Sequence, residues 1–249
     1  KQCMNSNEVE DPEFIYSYQG GTGTLHFTKL RTGEKSSHTF PLVKFNQSCS
    51  WCALPLGQIS FTGGFPLTNE VVGFHRASFS LTQRPRMLHA RYHHSTLYTG
   101  GYLYAIGGYN GYKVMSECER FSGEENKWEQ LSALPIAVRH SSVIVQESTR
   151  SLYVLGGCAA SGANIDAIQE LSLETCYWKQ LRFTLPSKAN PQCIPIFKSN
   201  RNSDGFFFVL DSKLYSWNPK SAPRHAKVLS ANIQSLHGPS YYSQGTVYC

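Results

Sequence analysis

The stretch "YLYAIGGYNG", residues 102–111, decides the fold because it runs a short apolar segment straight into two glycines. Alternating bulky residues over Tyr102 to Ile106 predict a β-strand. A single glycine can end a strand, whereas two in a row indicate a backbone turn at which no larger side chain fits. If the doublet recurs at a regular interval, it belongs to a repeat unit.

The doublet does recur along the chain. "QISFTGG" ends at Gly64 and "SLYVLGG" ends at Gly157, on either side of the doublet that ends at Gly108. The intervals between these glycines are 44 and 49 residues, which match the unit length of four-stranded propeller blades. We therefore expect that a side chain on either glycine would collide with the backbone of the next blade.

The segment after each doublet repeats as well. "SECERFSGEENKWEQLSALP" at 116–135 and "AIQELSLETCYWKQLRFTLP" at 167–186 share a strand, a polar turn, a Trp and a final Leu-Pro. Trp128 and Trp178 occupy the same place in the unit. We expect each of them to wedge its large apolar face between neighbouring sheets.

Weaker copies of the unit flank these repeats at 14–34 and 205–222, and "SYYSQGTVYC" at 240–249 resembles two strands of another. No apolar period of 3.6 residues competes with the alternation of period two. The sequence thus predicts an all-β propeller of four-stranded blades forming one domain over 1–249. Its approximate units are 1–46, 47–91, 92–137, 138–189 and 190–231, with a remnant at 232–249.

The segments "LYAIGGYNG", "ECERFSGEENKWEQLSALPIAVRH" and "LYVLGGC" resemble the kelch-repeat family, most specifically over residues 47–190. The middle units are similar to the kelch half of BTB-kelch proteins. This resemblance implies a kelch-type β-propeller of six blades, with five as the alternative. It also implies that strands from the two ends of the chain share the last blade.

Composition and charge narrow the classes of function. A chain with 41% hydrophobic and 16% charged residues is expected to pack as a globular protein. The net charge of +6 is spread along the chain, and most such charge solvates a surface, so we expect no nucleic-acid partner. No apolar run is long enough to span a membrane. The eight cysteines are scattered along the chain, and we expect them to be reduced and to pack as small side chains. Because reduced cysteines are typical of the cytoplasm, we expect a cytoplasmic location.

Catalytic and metal chemistry find little support in the sequence. Cys49 and Cys52 have the spacing of a zinc or redox pair, but no second pair accompanies them. The histidines of "RPRMLHARYHH" at 84–94 are interpreted as a polar connection between blades. We therefore expect no metal, no cofactor and no enzyme activity. A kelch-type enzyme such as a sugar mutarotase is the alternative, although it needs paired acid and base groups that cannot be assembled here.

The candidate binding residues lie on loops at one end of the propeller, where a rigid ring presents them. Aligning the inter-blade segments on their Leu-Pro pairs puts Arg91, Arg139 and Asn190 at equivalent places. The kelch resemblance implies that such arginines capture acidic peptides, whereas the alternative is that they brace loops by bonding backbone carbonyls. The full predicted partner-binding set is Phe65, Arg91, Tyr109, Asn110, Tyr112, Arg139 and Asn190.

These observations predict a non-catalytic protein-interaction module that binds a protein or an acidic peptide. Its setting could be that of a substrate receptor for ubiquitination. The alternative is a structural component of a cytoskeletal or other large assembly.

Overall fold

Antiparallel sheets follow one another along the chain in the computed structural model. The structure describes residues 14–18, 20–29, 32–41, 43–188, 192–194, 206–219, 226–231, 241–243 and 246–248. The N-terminal sheet has three strands, β1 (Phe14–Tyr18), β2 (Thr24–Lys29) and β3 (Lys35–Thr39).

Four complete blades come next, each a four-stranded antiparallel sheet in sequence order. Blade 2 contains β4 (Ser50–Leu54), β5 (Gln58–Thr62), β6 (Val71–His75) and β7 (Ser80–Arg84). Blade 3 contains β8 (Ser95–Thr99), β9 (Tyr102–Ile106), β10 (Cys118–Ser122) and β11 (Lys127–Gln130). Blade 4 contains β12 (Ser142–Gln146), β13 (Ser151–Leu155), β14 (Ala167–Ser172) and β15 (Trp178–Thr184).

Blade 5 contains β16 (Gln192–Ile194), β17 (Phe206–Leu210), β18 (Lys213–Trp217) and β19 (Lys227–Ala231). A C-terminal hairpin of β20 (Tyr241–Ser243) and β21 (Thr246–Tyr248) ends the described chain. The first five sheets fall one in each of the five predicted units, and the C-terminal hairpin falls in the remnant at 232–249. The predicted all-β architecture with four-stranded blades is confirmed, whereas the blade number of six stays a prediction.

The first strand of each blade lies innermost, because β4 packs beside β8, β8 beside β12 and β12 beside β16. Hydroxyl groups join the inner strands and the residues beside them. Ser50 Oγ and Thr96 Oγ1 are 2.8 Å apart, and Ser95 Oγ donates at 2.5 Å to the carbonyl of Ser141, the residue before β12. Consecutive antiparallel strands turn at alternate ends of a sheet. The loops after the glycine doublets and the linkers between blades therefore share one end, which we call the glycine face.

The glycine doublets adopt the backbone that the sequence predicted. Gly107 has a φ of +60°, and a Cβ on it would lie 2.4 Å from the Val138 carbonyl oxygen in the linker to blade 4. A Cβ on Gly63 would lie 2.2 Å from the Arg91 carbonyl oxygen in the linker to blade 3. The expected collision with the next blade is confirmed for the first glycine of these two doublets. The second glycine instead approaches the linker that enters its own blade, since a Cβ on Gly108 would lie 2.9 Å from the Tyr92 carbonyl oxygen. Both doublets therefore seat the next linker against the blade before it.

The expected role of the tryptophans is also confirmed. Trp128 is 7% exposed and packs with Val71 and Met87 from the blade 2 side and with Leu103 of its own blade. Its indole Nε1 donates to the Pro85 carbonyl at 2.8 Å. Trp178 is half-buried against the apolar cluster between blades 3 and 4.

Within the described residues, no helix is long and apolar enough to cross a membrane. The single helical element there is one 3-10 turn, Glu147–Thr149.

We predict that Gly107→Ala destabilises the protein by about 2 kcal/mol or more relative to Gly100→Ala, because only the first methyl group strikes another backbone. Gly100 is a matched control, since its φ of +58° is nearly that of Gly107 and nothing lies within 4 Å of its Cβ position. Urea unfolding of the two variants measures the difference. Equal losses of stability would show that the doublet does not set the distance between blades.

Candidate functional site

Three linkers enter their blades through the same unusual backbone. Ser48, His93 and His140 precede the inner strands of blades 2, 3 and 4 and have φ values of +53°, +56° and +54°. The His93 amide donates to the Ser48 carbonyl at 3.2 Å, and the His140 amide donates to the His93 carbonyl at 2.9 Å. A chain of backbone hydrogen bonds therefore runs from blade to blade around the mouth of the central axis.

The residue before each of these positions pairs with the residue after a glycine doublet. The three antiparallel bridges join Gln47 to Phe65, Tyr92 to Tyr109, and Arg139 to Cys158. Tyr92 is thus equivalent to Arg139.

The expected equivalence of Arg91 and Arg139 is wrong by one residue. Arg91 matches Val138, and the carbonyls of these two residues accept from the Gly64 and Gly108 amides at 2.9 and 2.8 Å. Three residues separate Arg91 from Ser95, the first residue of β8, whereas only two separate Arg139 from Ser142, the first residue of β12. Since successive side chains of an extended chain point to opposite sides, this shift sends the two arginines to different environments.

Arg91 is fully buried in a polar cluster inside blade 3. Its Nη1 donates to the carbonyls of Gly107 and Glu117 at 2.7 and 2.8 Å, and its Nη2 donates to Glu119 Oε1 at 2.7 Å. Glu119 is fully buried too, and it also accepts from the Leu88 amide at 2.6 Å. Arg91 therefore braces the loops, as in the alternative that the sequence left open, and its guanidinium is not at the surface.

Arg139 lies in a different place, at the end of a row of aromatic rings on the glycine face. The ring centroids of Phe65 and Tyr92 are 5.8 Å apart, and those of Tyr92 and Tyr109 are 5.5 Å apart. The Arg139 guanidinium lies 5.5 Å from the centroid of the Tyr109 ring. We call these four residues the aromatic row. Its members alternate between the loops after the doublets of blades 2 and 3 and the linkers that lead into blades 3 and 4.

Tyr92 is the member of the row that sequence reasoning missed. It follows the buried Arg91 and precedes His93. Only the alignment of the two linkers by their backbone bridges identifies Tyr92 as the equivalent of Arg139. The bridge from Tyr92 to Tyr109 places its ring between the two predicted aromatics.

The remaining predicted residues divide between the surface and the loop framework. Tyr112 is 93% exposed beside the aromatic row's Tyr109 loop. Asn110 shapes that loop, since its Oδ1 accepts from the amides of Tyr112 and Lys113 at 3.1 and 2.9 Å. Asn190 lies outside the described residues.

A pair of histidines lies at the mouth of the axis beside the aromatic row. The His93 and His140 rings are 3.9 Å apart at an interplanar angle of 74°, and their Nδ1 atoms are 3.2 Å apart. Burial lowers the pKa of both imidazoles, and the neighbouring Arg139 charge lowers it further; the pKa of His93 falls to about 4. The sequence predicted no such pair because 47 residues separate the two rings. The available signal was that each histidine lies two residues before the first strand of its blade.

The pair opens onto a cavity of about 360 Å³. Its lining consists of Ser48, Cys49, Ser50, Trp51, His93, His94 and His140, with no carboxylate among them. His94 Nε2 lies 2.8 Å from Thr62 Oγ1, while its buried Nδ1 has no hydrogen-bond partner. The cavity lining therefore offers neutral imidazole nitrogens and hydroxyl groups, and it lacks the paired carboxylates of acid–base catalysis.

The cysteine pair that has metal spacing lies near this cavity in strand β4 and the residue before it. Burial raises the pKa of Cys49 to about 11 and that of Cys52 to about 12, so both thiols are protonated at neutral pH. Both cysteines are free. Over the residues that the structure describes, no three His, Cys, Asp or Glu side chains converge as a metal cluster.

Comparisons with known proteins agree with this architecture. The kelch motif family matches residues 90–135. Kelch-like protein 35 of Mus musculus is 27% identical over 187 residues, which are 74% of this chain and 31% of that protein. Kelch-like protein 38 of Homo sapiens is 35% identical over 72 residues, which are 28% of this chain and 12% of that protein. These matches span about a third or less of the curated relatives' length.

A solved structure shares the fold at low sequence identity. The chain described as "Structure of YjhT" superposes with a TM-score of 0.70 at 14% identity, covering 96% of this chain and 87% of that one. At this identity the likeness concerns the fold alone.

The buried arginine cluster predicts a large effect of Arg91→Met on stability. Removing the guanidinium leaves the Glu119 carboxylate buried without its charge partner, which costs about 3–5 kcal/mol. Arg86→Met is the matched control, because Arg86 pairs with Glu70 at 3.1 Å while 67% of its side chain is exposed, so its loss costs less than about 1 kcal/mol. Thermal or urea unfolding compares them, and similar stabilities would contradict the bracing role.

Proposed function

Because the chain belongs to the kelch-repeat β-propeller family, we propose that it is a non-catalytic protein-interaction module. In this proposal residues 1–249 form one propeller domain of six blades. The N-terminal sheet and the C-terminal hairpin supply strands beyond the four complete blades. The glycine face of that ring holds a protein or peptide partner.

The aromatic row is the observation that carries this proposal. Phe65 is 54% exposed at one end, and the nearby Leu67 and Tyr112 are 41% and 93% exposed. Aromatic and arginine side chains dominate the binding energy of protein interfaces, since they bury much area while few of their torsions become fixed. A rigid framework of backbone bridges holds the row in place before any partner arrives, which lowers the entropy cost of binding.

The charge at the mouth supports an acidic partner. The Arg139 guanidinium lies 5.5 Å from the centroid of the Tyr109 ring. The lining of the adjacent cavity contains no carboxylate that would repel an acidic partner. An arginine fork can hold an incoming carboxylate through two hydrogen bonds, so an aspartate or glutamate of the partner fits beside the aromatic row. Arg91 supports this site from the interior rather than touching the partner.

The length of the relatives supports our proposal for the cellular setting. Kelch-like protein 35 extends well beyond the aligned segment, which supports a propeller that captures a partner for an activity carried by other parts of a longer protein or complex. Recruitment of substrates for ubiquitination in the cytoplasm is the setting we propose. A structural role in a cytoskeletal or other large assembly would use the same surface.

Truncating two of the four side chains of the aromatic row should weaken partner capture. We expect Tyr109→Ala combined with Arg139→Ala to weaken binding at least about tenfold, because interface residues of these types commonly contribute more than 1.4 kcal/mol each. Quantitative affinity purification with wild-type and variant chains identifies the proteins lost, and titration of one purified partner then measures the dissociation constant.

Tyr177→Ala is the control for this experiment. Tyr177 is 74% exposed and lies in the turn between β14 and β15, at the end of blade 4 opposite the glycine face. The control chain should keep the wild-type affinity. A partner that is retained by the double variant and lost by Tyr177→Ala would move the interface to the other end of the propeller.

A further inference from the structure

We propose that the partner of the glycine face binds through an extended segment that combines one large apolar side chain with one carboxylate side chain. The apolar side chain packs on Phe65 and Leu67 at one end of the aromatic row, and the carboxylate binds Arg139 at the other end. This inference rests on the proposed protein-binding function and specifies the chemistry of the segment that the surface selects.

The apolar end of the row is built by two successive blades. Phe65 and Leu67 are exposed in the loop after the blade 2 doublet, and Tyr112 is exposed in the loop after the blade 3 doublet. The two loops touch, because Leu67 Cδ2 lies 3.5 Å from the place that a Cβ on Gly111 would take. A partner's apolar side chain at this end therefore contacts both blades.

Backbone contacts order both loops before a partner binds. The Thr68 carbonyl accepts from the Arg91 amide at 3.2 Å, which ties the first loop to the linker of blade 3. Tyr109 bridges to Tyr92 on one side and to Val114 on the other, which closes the second loop. Because an ordered surface loses little conformational freedom on binding, burying one apolar side chain there adds affinity.

The other end of the row carries the charge. The Arg139 side chain is partly exposed, and its guanidinium lies 5.5 Å from the Tyr109 ring centroid. Burial and the Arg139 charge lower the pKa of His93 and His140, so both imidazoles are neutral at pH 7 and Arg139 supplies the positive charge. The lining of the adjacent cavity holds no carboxylate to compete for it. One aspartate or glutamate side chain therefore complements this end.

The length of the row sets the separation of the two partner residues. Its three successive spacings of 5.8, 5.5 and 5.5 Å put the Phe65 ring at most about 17 Å from the Arg139 guanidinium, which is the length of about five residues of an extended chain. Every second side chain of such a chain points to the same side. We therefore expect the apolar and acidic residues to lie two or four positions apart.

The two ends contribute differently to selection. Apolar burial increases affinity roughly in proportion to the area covered, whereas a charge pair mainly fixes orientation and excludes wrong partners. A uniformly acidic segment would leave Phe65 and Leu67 uncovered. The surface thus selects a mixed apolar and acidic segment over a polyacidic one.

Selection from a random peptide library displayed on phage tests the inference, with the purified chain as the target. We expect the enriched sequences to share an aspartate or glutamate with a large apolar residue two or four positions away. Enriched sequences that share acidic residues alone would overturn the inference and leave the proposed function intact. Equal enrichment on the chain that carries Tyr109→Ala and Arg139→Ala would contradict both, because the peptides would then bind elsewhere.

Fluorescence-anisotropy titration of one selected peptide separates the two ends of the row. Leu67→Ser should weaken binding at least about fivefold through loss of apolar contact. Arg139→Glu should reverse the charge preference, so that a peptide with lysine in place of its acidic residue binds this variant better than the parent peptide does.

Leu56→Ser is the matched control for Leu67→Ser. Leu56 is exposed in the turn between β4 and β5, at the end of blade 2 opposite the glycine face. The control chain should keep the wild-type affinity. Equal losses in the two serine variants, or wild-type affinity in Leu67→Ser, would overturn the inference.

A change in the peptide avoids chain variants that could fail to fold. Replacing the apolar residue of the peptide by alanine should weaken binding to the wild-type chain at least about fivefold. The same peptide change should matter less on the Leu67→Ser chain, because the two side chains contact each other. Losses that simply multiply would overturn the contact with Leu67 that the inference requires.

Discussion

The close approach of each glycine doublet to the linker of the next blade is the contact on which this structure depends. The carbonyls of Arg91 and Val138 lie where a side chain on Gly63 or Gly107 would be, and they accept from the amides of Gly64 and Gly108. Blades therefore meet backbone to backbone at the glycine face. Trp128 fills the apolar space farther out between blades 2 and 3.

This packing sets the register of the binding surface. Once a linker is seated on a doublet, its next residue bridges to the following loop, and the residue after that turns into the left-handed region. The same three steps place Tyr92 and Arg139 in the aromatic row and His93 and His140 at the axis. Residues that are far apart in the sequence become neighbours because equivalent positions in adjacent blades lie side by side.

Much of the fold could be predicted from the sequence, because the glycine doublets and tryptophans recur at blade length. The site could be predicted only in part. Phe65, Tyr109 and Tyr112 follow doublets, so their place in exposed loops was recognisable from spacing. The linkers carry no such marker and differ in length. A shift of one residue was enough to exchange the buried Arg91 for Tyr92, and only the backbone bridges show which residue belongs to the surface.

The central claim is that the glycine face, organised by these backbone contacts, is where a protein partner binds. Hydrogen–deuterium exchange of the chain with and without a purified partner tests it most directly. The account predicts that the partner slows exchange in the loops at 65–69 and 109–113 and in the linker at 139–141, while the turns at 147–150 and 173–177 are unchanged. Slower exchange confined to those opposite turns would contradict it.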